Sequence, residues 1–300
     1  KKFFYQKINK GQHFFKIITV LQKINLINPD VIILHNYQIL ACLFLKIFYK
    51  KKIIYVDHMS LILKSYKDYF CLFLSFLFFD KVIFINKENY KKFKYIKVSK
   101  CQIIVNGVND FFLNKKKDNL LLTIGISGRI NYFKNHQLIV DMLRMNSNLK
   151  NKIKFLIAGS GENKTNITKQ VKSYSLQNNI IFNGELDEQL LKKWFNKIDL
   201  YLHPSFGEGM STSILQAMSS STPILASNVR GINNLIGKKK YLGMLFDNNI
   251  HDLKKKIIYF IKIKKNEYRK FQIIQRNYFL KNHNINSFRN KYRKVLNDIL

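Results

Sequence analysis

The sequence predicts an α/β protein with two doubly wound domains, in which parallel strands alternate with helices on both faces of each sheet. Short β-branched segments alternate with longer helical segments along most of the 300 residues. The alternation occurs as two consecutive series, and the polar run Lys115-Lys-Lys-Asp-Asn119 lies between them. Because strand–helix–strand units form parallel sheets, two series indicate two domains.

Each element is predicted from a run of residues with the matching periodicity. In the first series the strands are Val31–Leu34, Ile53–Val56, Lys81–Ile85 and Gln102–Val105, with helices at Gln38–Phe48 and Lys64–Phe79. In the second the strands are Leu120–Ile126, Lys154–Ala158, Ile180–Phe182, Leu200–His203 and Pro223–Ser227, with helices at His136–Arg144, Thr165–Leu176, Asp187–Lys197 and Ser213–Ser220. After about Asn248 the pattern predicts Lys-rich helices to Leu300. We therefore expect one domain over residues 1–116, a second over 117–285, and a terminal helix over 286–300.

The charge balance is strongly basic, with 52 Lys and Arg against 18 Asp and Glu and a formal net charge of +34. Seven of these basic residues are Arg, and the Lys residues are spread along the chain instead of forming one stripe. This spread, without any recognition motif, argues against nucleic acid as a partner. Two interpretations stay open: a solvated Lys-rich surface, and a surface that attracts anionic membrane lipids.

Three cysteines, Cys42, Cys71 and Cys101, have the spacing of neither a disulfide framework nor a metal site, which is typical of a reducing cytoplasm. No signal peptide is visible, and the longest apolar runs, Ile39–Phe48 and Tyr69–Phe79, are shorter than the roughly 20 residues that span a bilayer. We expect a cytoplasmic location; the more specific alternative is peripheral attachment to the inner face of the membrane.

A glycine-containing turn that follows the first strand of the second series is the first candidate binding element. It carries Arg129 and Lys134 and leads into a helix, where backbone N–H groups and the helix dipole favour an anion. The planar guanidinium of Arg129 suits a diphosphate because it donates paired hydrogen bonds. The alternative is a tight turn with two surface cations.

A second glycine-containing turn, Ala158-Gly-Ser-Gly161, follows the next strand. Gly159 and Gly161 would let a ring or a ribose approach the backbone. Such turns are common in doubly wound domains, so this signal is weak by itself.

The segment from Tyr201 to Ser227 carries the strongest signal. Glu208 stands in the loop after a strand, where a carboxylate can accept hydrogen bonds from sugar hydroxyls, and a helix begins shortly after it. Gln216 lies on that helix and can reach toward a ribose. The spacing from Ser213 to Gln216 also fits a capping box, which is the structural alternative.

These motifs resemble the retaining glycosyltransferases of family 4, the group 1 glycosyltransferases, which have the GT-B fold of two Rossmann-like domains. The resemblance covers nearly the whole chain and is most specific from about Gly125 to Phe246. The matching motifs are Gly128-Arg129 with Lys134, Ala158-Gly-Ser-Gly161, Pro204-Ser205 with Glu208-Gly209, Thr222-Pro-Ile224, and Gly243-Met-Leu-Phe246. Asn28-Pro-Asp30 and Val105-Asn-Gly-Val108 are similar to the family's amino-terminal domain.

The resemblance implies a role for each matching residue. Arg129 and Lys134 are expected to hold the donor diphosphate, with Ser211 and Thr212. Gly209, Met210 and Gln216 are expected to contact the transferred sugar or the ribose, and Gly159 and Gly161 the nucleotide. Glu208 and His58 are the expected catalytic residues, and the terminal helix is expected to pack back on the first domain.

The sequence departs from the family pattern at two places. Gln216 stands where the family has a second glutamate, so the contact to ribose hydroxyls lacks a charge. The family's first strand and its Gly-rich loop have no counterpart in residues 1–116, which suggests a fragment or a diverged amino terminus.

The resulting functional hypothesis is transfer of a hexose from a nucleotide-diphosphate sugar to an envelope glycan or lipid-linked acceptor, with retention of configuration. No Asp-x-Asp pair occurs in the sequence, so we expect neither a metal nor another cofactor. Two alternatives stay open: a nucleotide-sugar epimerase or hydrolase of the same fold, and a truncated or degenerate protein that binds sugar nucleotides without catalysis.

Overall fold

A computed structural model describes residues 13–35, 39–58, 64–96, 98–113, 121–208, 210–237, 239 and 241–300. The predicted linker Lys115–Asn119 therefore lies outside the described residues. The chain divides into two units, one of Lys1–Val105 with Asn290–Leu300 and the other of Asn106–Arg289.

The first unit contains a four-stranded parallel sheet in the order β1-β2-β3-β4. Its strands are β1 (Val31–His35), β2 (Lys52–Asp57), β3 (Lys81–Phe84) and β4 (Cys101–Ile103), and its helices are α1 (His13–Ile27), α2 (Ile39–Tyr49), α3 (Tyr66–Phe78) and α4 (Lys87–Phe93). Strand β2 is buried from Ile53 to Asp57, as expected for a strand covered on both faces. Cys42 and Cys71 lie in this core as free thiols.

The second unit contains a six-stranded parallel sheet in the order β10-β9-β8-β5-β6-β7. Its strands are β5 (Leu122–Ser127), β6 (Ile153–Ala158), β7 (Ile180–Gly184), β8 (Leu200–His203), β9 (Ile224–Ser227) and β10 (Met244–Phe246). Its helices are α5 (Gln137–Met145), α6 (Lys164–Ser173), α7 (Glu188–Lys197), α8 (Thr212–Ser219), α9 (Ile232–Ile236), α10 (Ile250–Lys262) and α11 (Lys265–Asn282). Strands β8 and β9 are buried along their whole length. Helix α12 (Ile285–Ile299) closes the chain, and its residues from Asn290 onward group with the first unit.

The fold class predicted from the sequence is confirmed: both sheets are parallel, and their strands alternate with helices along the chain. The division between the units falls after Val105, earlier than the sequence predicted, because the following residues pack into the second unit. Val108 and Phe111 are buried in its core, and the backbone N–H of Phe111 donates to Ser219 Oγ at 3.2 Å. Arg276 forms an ion pair with Asp110 on the same segment at 2.5 Å.

The loop that follows β8 leads into helix α8, which begins at Thr212. Ser211 is the N-cap of this helix because its hydroxyl accepts from the N–H of Ile214 at 3.4 Å. The capping-box interpretation of Ser213 and Gln216 is therefore wrong, since Ser213 already lies within the helix. Gln216 lies about one turn from the start of α8.

Candidate functional site

The loops that follow β5, β6, β7 and β8 meet at one edge of the second sheet and line a cavity of about 490 Å³ with the start of α8. We call this the β5–β8 cavity. Its lining consists of Ser127, Gly128, Arg129, Lys134, Ala158, Gly159, Glu185, Leu186, Leu191, Glu208, Met210, Ser211, Thr212, Ser213 and Gln216. The carboxyl edge of a parallel sheet is where such folds bind ligands.

Backbone hydrogen bonds tie three of these loops together. The N–H of Gly128 donates to Ala158 O at 2.9 Å, and the N–H of Gly159 donates to Gly184 O at 2.6 Å. Gly159 has a φ of +138°, and a Cβ there would lie 2.0 Å from Gly128 O. No other residue fits this position, so the glycine fixes the distance between the first two loops.

Gly161 has a different environment from Gly159. A Cβ on Gly161 would lie 2.4 Å from Ile130 O, and Gly161 is not among the residues that line the β5–β8 cavity. Its visible role is to let the turn after β6 pack on the turn after β5.

The two predicted cations differ in their contacts. Lys134 forms an ion pair with Glu208 Oε1. Arg129 is exposed, and no residue in the described part of the chain makes a hydrogen bond or ion pair with its guanidinium. Within the described residues, Arg129 therefore presents a positive charge to the cavity without a direct ion pair, whereas the charge of Lys134 is balanced by Glu208.

Glu208 is held in its ionised form by three side chains that contact Oε1. Besides Lys134, His203 Nε2 and Ser205 Oγ each lie 3.0 Å from this oxygen. Burial opposes ionisation, but the hydrogen bond from His203 together with the charge and hydrogen bond of Lys134 outweighs it and lowers the pKa of Glu208 to about 2. None of the described residues hydrogen-bonds Oε2, so that oxygen is available as an acceptor.

His203 was not predicted as a site residue, although its position at the end of β8 directs it to Glu208. Complete burial lowers the pKa of His203 and favours the neutral ring. Because an ionised carboxylate only accepts, Nε2 carries the proton and donates to Glu208. The unprotonated Nδ1 faces the hydroxyl of Tyr201 at 3.3 Å. That hydroxyl also donates to Ser127 O at 3.2 Å and accepts from Ser127 Oγ at 3.2 Å.

The start of α8 supplies polar groups to the opposite side of the cavity. Met210, Ser211, Thr212 and Gln216 all line it, and their expected contacts with a donor stay predictions. The first N–H groups of a helix have no intrahelical acceptor, so this end can donate to an anion or to hydroxyls. Gly209 lies outside the described residues.

The sequence interpretation missed the part of the cavity that follows β7. Glu185 and Leu186 come directly after the end of this strand, and Leu191 faces the cavity from α7. The signal was present, because Gly184 ends a strand of a parallel sheet and the next residues lie at the ligand-binding edge.

His58 belongs to the first unit, where it follows β2. Its Nε2 lies 2.7 Å from Nδ1 of His35, and the ring centroids are 4.9 Å apart. Burial, with a contribution from the charge of His35, lowers the pKa of His58 to about 4. The ring is therefore neutral at pH 7, and its predicted catalytic role stays a prediction.

Neither a metal cluster nor a bilayer-crossing helix is found among the described residues. Within those ranges, no group of three or more His, Cys, Asp or Glu side chains is arranged to hold a metal ion. In the same part of the chain, no helix is both long enough and apolar enough to cross a bilayer.

Several solved structures share this fold. Anabaena Alr3699/HepE in complex with UDP superposes with a TM-score of 0.77 at 16% identity, covering 94% of this chain and 82% of that one. A mutant of Staphylococcus aureus TarM, crystallised with fondaparinux, alpha-GlcNAc-glycerol and UDP, gives a TM-score of 0.78 at 19% identity, covering 94% of this chain and 59% of TarM. Two parallel-sheet α/β domains of this kind define the GT-B class of glycosyltransferases.

The family follows from the sequence of the second unit. The model of the "Glycosyl transferases group 1" family matches residues 109–278, more than half of the chain. The chain therefore belongs to the group 1 glycosyltransferases.

Curated relatives match over shorter stretches. Protein CapJ of Staphylococcus aureus is 33% identical over 111 residues, which are 36% of this chain and 27% of CapJ. The O-antigen biosynthesis glycosyltransferase WclY of Escherichia coli is 28% identical over 155 residues, 48% of this chain and 41% of WclY. The chain thus spans between about a quarter and two fifths of the length of these relatives.

Proposed function

We propose that the chain is the donor-binding and catalytic part of a glycosyltransferase that uses a nucleotide-diphosphate sugar. The observation that carries this proposal is the β5–β8 cavity, which places an uncompensated Arg, a Lys–carboxylate pair and a helix N-terminus around one space. These are the groups that a diphosphate joined to two polyhydroxylated rings would engage.

The diphosphate would lie between Arg129, Lys134 and the start of α8. Negative charge builds on the nucleoside diphosphate as the glycosidic bond to it breaks, and preorganised cations and N–H groups stabilise that charge. Lys134 would exchange part of its contact with Glu208 for a phosphate oxygen. The side-chain cations would serve where other enzymes use a metal, which is consistent with the lack of an Asp-x-Asp pair.

The two rings of the donor would occupy opposite ends of the cavity. Glu208 Oε2 would accept from hydroxyls of the transferred sugar, held in place by Lys134, His203 and Ser205 at Oε1. Gln216 would bind the ribose, and Leu186 and Leu191 would pack on the base. Retention of configuration, membership of family 4 and a role for His58 near the sugar belong to the same proposal and rest on the family resemblance.

The acceptor we propose is an envelope glycan or a lipid-linked sugar, reached at the inner face of the membrane from the cytoplasm. Names among the relatives support a polysaccharide setting: one is an O-antigen biosynthesis glycosyltransferase, and another is alpha-monoglucosyldiacylglycerol synthase of Streptococcus pneumoniae, 26% identical over 125 residues. The net charge of +34 would favour contact with anionic lipid.

One observation favours a second candidate, a protein that binds nucleotide sugars without transferring them. Gln216 offers an uncharged amide where the family has a carboxylate, so the contact to ribose hydroxyls is weaker. This candidate predicts donor binding with no turnover on any acceptor.

Transfer assays with the expressed chain separate these candidates. Radiolabelled UDP-glucose, UDP-GlcNAc, UDP-galactose and GDP-mannose are incubated with and without a total envelope glycolipid extract. Product that requires the extract supports transfer, release of sugar or epimerisation from donor alone supports the hydrolase or epimerase alternative, and absence of any product supports the non-catalytic candidate. Arg129→Ala should reduce transfer by about 100-fold or more, while Arg144→Ala, an arginine on α5 that lines no part of the cavity, should leave it unchanged.

A further inference from the structure

A second cavity of about 600 Å³ lies between the starts of α5 and α6, and it shares no lining residue with the β5–β8 cavity. We call it the α5–α6 cavity. Its wall is made of five Asn or Gln side chains, two aromatic rings, one carboxylate and one histidine. No Lys or Arg contributes to the described wall, so the chemistry does not suit a phosphate or another anion.

Two exposed aromatic rings stand side by side at this cavity. The centroids of Tyr132 and Phe206 are 5.3 Å apart with an angle of 34° between the rings, and the side chains are 72% and 43% exposed. The rings come from different loops, which a hydrogen bond from Phe206 N to Phe133 O at 2.9 Å holds together. The loops thus form a fixed apolar platform open to solvent.

A buried histidine lines the same cavity. His136 is 1% exposed, and neither of its ring nitrogens has a hydrogen-bond partner in the described part of the protein. Burial lowers the pKa of His136 to about 4, with a contribution from the charge of Lys134, so the ring is neutral and offers one donor and one acceptor. Buried polar groups are normally paired, which points to a ligand that both donates and accepts, as a hydroxyl does.

The amide side chains add polar groups with fixed orientations. Gln137 is locked by Gln170, with contacts of 2.6 Å and 3.0 Å, and Asn135 donates to Asn248 at 3.0 Å. Asn166 Nδ2 donates to Asn163 Oδ1 at 3.4 Å, which leaves the Nδ2 of Asn163 and the Oδ1 of Asn166 able to pair with a ligand. A concave site with a few fixed polar groups beside aromatic rings is typical of small-molecule binding.

We propose that the α5–α6 cavity binds a neutral saccharide, separately from the nucleotide-sugar donor. The aromatic platform would cover the apolar C–H face of a pyranose ring, and the amides and His136 would bind its hydroxyls. A nucleobase would use the same rings, so nucleotide serves as the competitor in the test.

The test uses the intact chain and three probes, chitotriose, maltotriose and α-mannotriose, with binding measured by saturation-transfer NMR and titration calorimetry. We expect at least one trisaccharide to bind and its affinity to be unchanged by saturating UDP. Tyr132→Ala should weaken binding at least about five-fold, and Asn166→Ala, an exposed position on α6, should also weaken it. Tyr95→Ala, which removes a tyrosine that is 76% exposed in the first unit, is the matched control and should have no effect.

Three outcomes would overturn the proposal: no trisaccharide binds, UDP displaces the bound saccharide, or Tyr132→Ala binds as well as the unmodified protein. The same experiment tests the donor site independently. If saccharide binds but UDP does not, the proposed transferase function is contradicted and the saccharide site is supported. If UDP binds but saccharide does not, the saccharide site is contradicted and the donor site is supported.

Discussion

The contact between Lys134 and Glu208 should be measurable as a coupling energy in a double-mutant cycle. The two substitutions are Lys134→Met and Glu208→Gln, which remove the charges and keep similar side-chain volumes. Each single variant loses the ion pair and also the other contacts of the substituted side chain. Subtracting both single-variant changes in the free energy of unfolding from the double-variant change cancels those other contacts and leaves the coupling energy of the pair.

The expected magnitude follows from the pKa of Glu208. A fall from the ordinary 4.5 to about 2 corresponds to about 3 kcal/mol of interaction that favours the ionised carboxylate in the folded state. His203 and Lys134 share this stabilisation, so we expect a coupling of about 1–2 kcal/mol for the Lys134 pair. The side chains of Lys134 and Glu208 are 24% and 16% exposed, which limits solvent screening.

Urea denaturation at pH 7 and at pH 3 measures the coupling. A carboxyl group with a lowered pKa stabilises the fold above pH 4.5, and this stabilisation is lost as the pH falls from 4.5 to about 2. The coupling should therefore be smaller at pH 3 than at pH 7. The control is a second cycle on Arg144 and Asp141, a surface pair at 4.0 Å with side chains 48% and 30% exposed, where we expect at most about 0.5 kcal/mol. Equal coupling energies for the two pairs, or a Lys134–Glu208 coupling that does not change with pH, would show that this contact does not stabilise the ionised carboxylate.

Three other variants test the two cavities and the glycine turn after β6. Because the pKa of buried His136 is about 4, the unfolded state gains a proton on this side chain as the pH falls from 6.5 to 4, and the free energy of unfolding drops by about 3 kcal/mol. In His136→Gln the melting temperature should therefore fall less over that pH range. An unchanged slope of melting temperature against pH would contradict this. Gly159→Ala should destabilise the protein by about 3 kcal/mol or more in urea because its Cβ would meet Gly128 O, whereas Gly207→Ala, with open space around the new Cβ, should change little; similar losses for both would be a contradiction. Gln216→Glu should raise the calorimetric affinity for UDP-glucose by about five- to ten-fold through a charge-assisted contact with ribose, and an unchanged Kd would place the ribose elsewhere.

The sheet-forming elements were predictable because their residues carry a strong signal. Apolar strands such as Ile53–Val56 and Leu200–His203 are buried on both faces, and their observed bounds agree within one or two residues. Helices α1, α4 and α9 and strand β10 were not predicted. Strand β10 has three residues, and α4 has a largely polar sequence whose helical form depends on its cap at Asn86.

The motif residues of the site were predictable, and their partners were not. Arg129, Lys134 and Glu208 come to one cavity from two loops, as the pattern indicated. The ion pair between Lys134 and Glu208 joins residues 74 positions apart, and a local pattern does not encode such a contact. The role of His203 could not be predicted from the sequence either, because it depends on the burial of the ring and on its hydrogen bond to Glu208. The predicted helix over Ser213–Ser220 begins at Thr212 in the structure, and Ser211 caps it through its contact with Ile214 N.

If the proposed function is right, the β5–β8 cavity binds the diphosphate of a nucleotide sugar through Arg129. Titration calorimetry of UDP and GDP into the unmodified protein, Arg129→Gln and Arg144→Gln measures this binding. We predict saturable binding of at least one nucleotide, at least about ten-fold weaker binding by Arg129→Gln, and unchanged binding by Arg144→Gln. Binding of neither nucleotide, or equal affinity of Arg129→Gln and the unmodified protein, would contradict the claim.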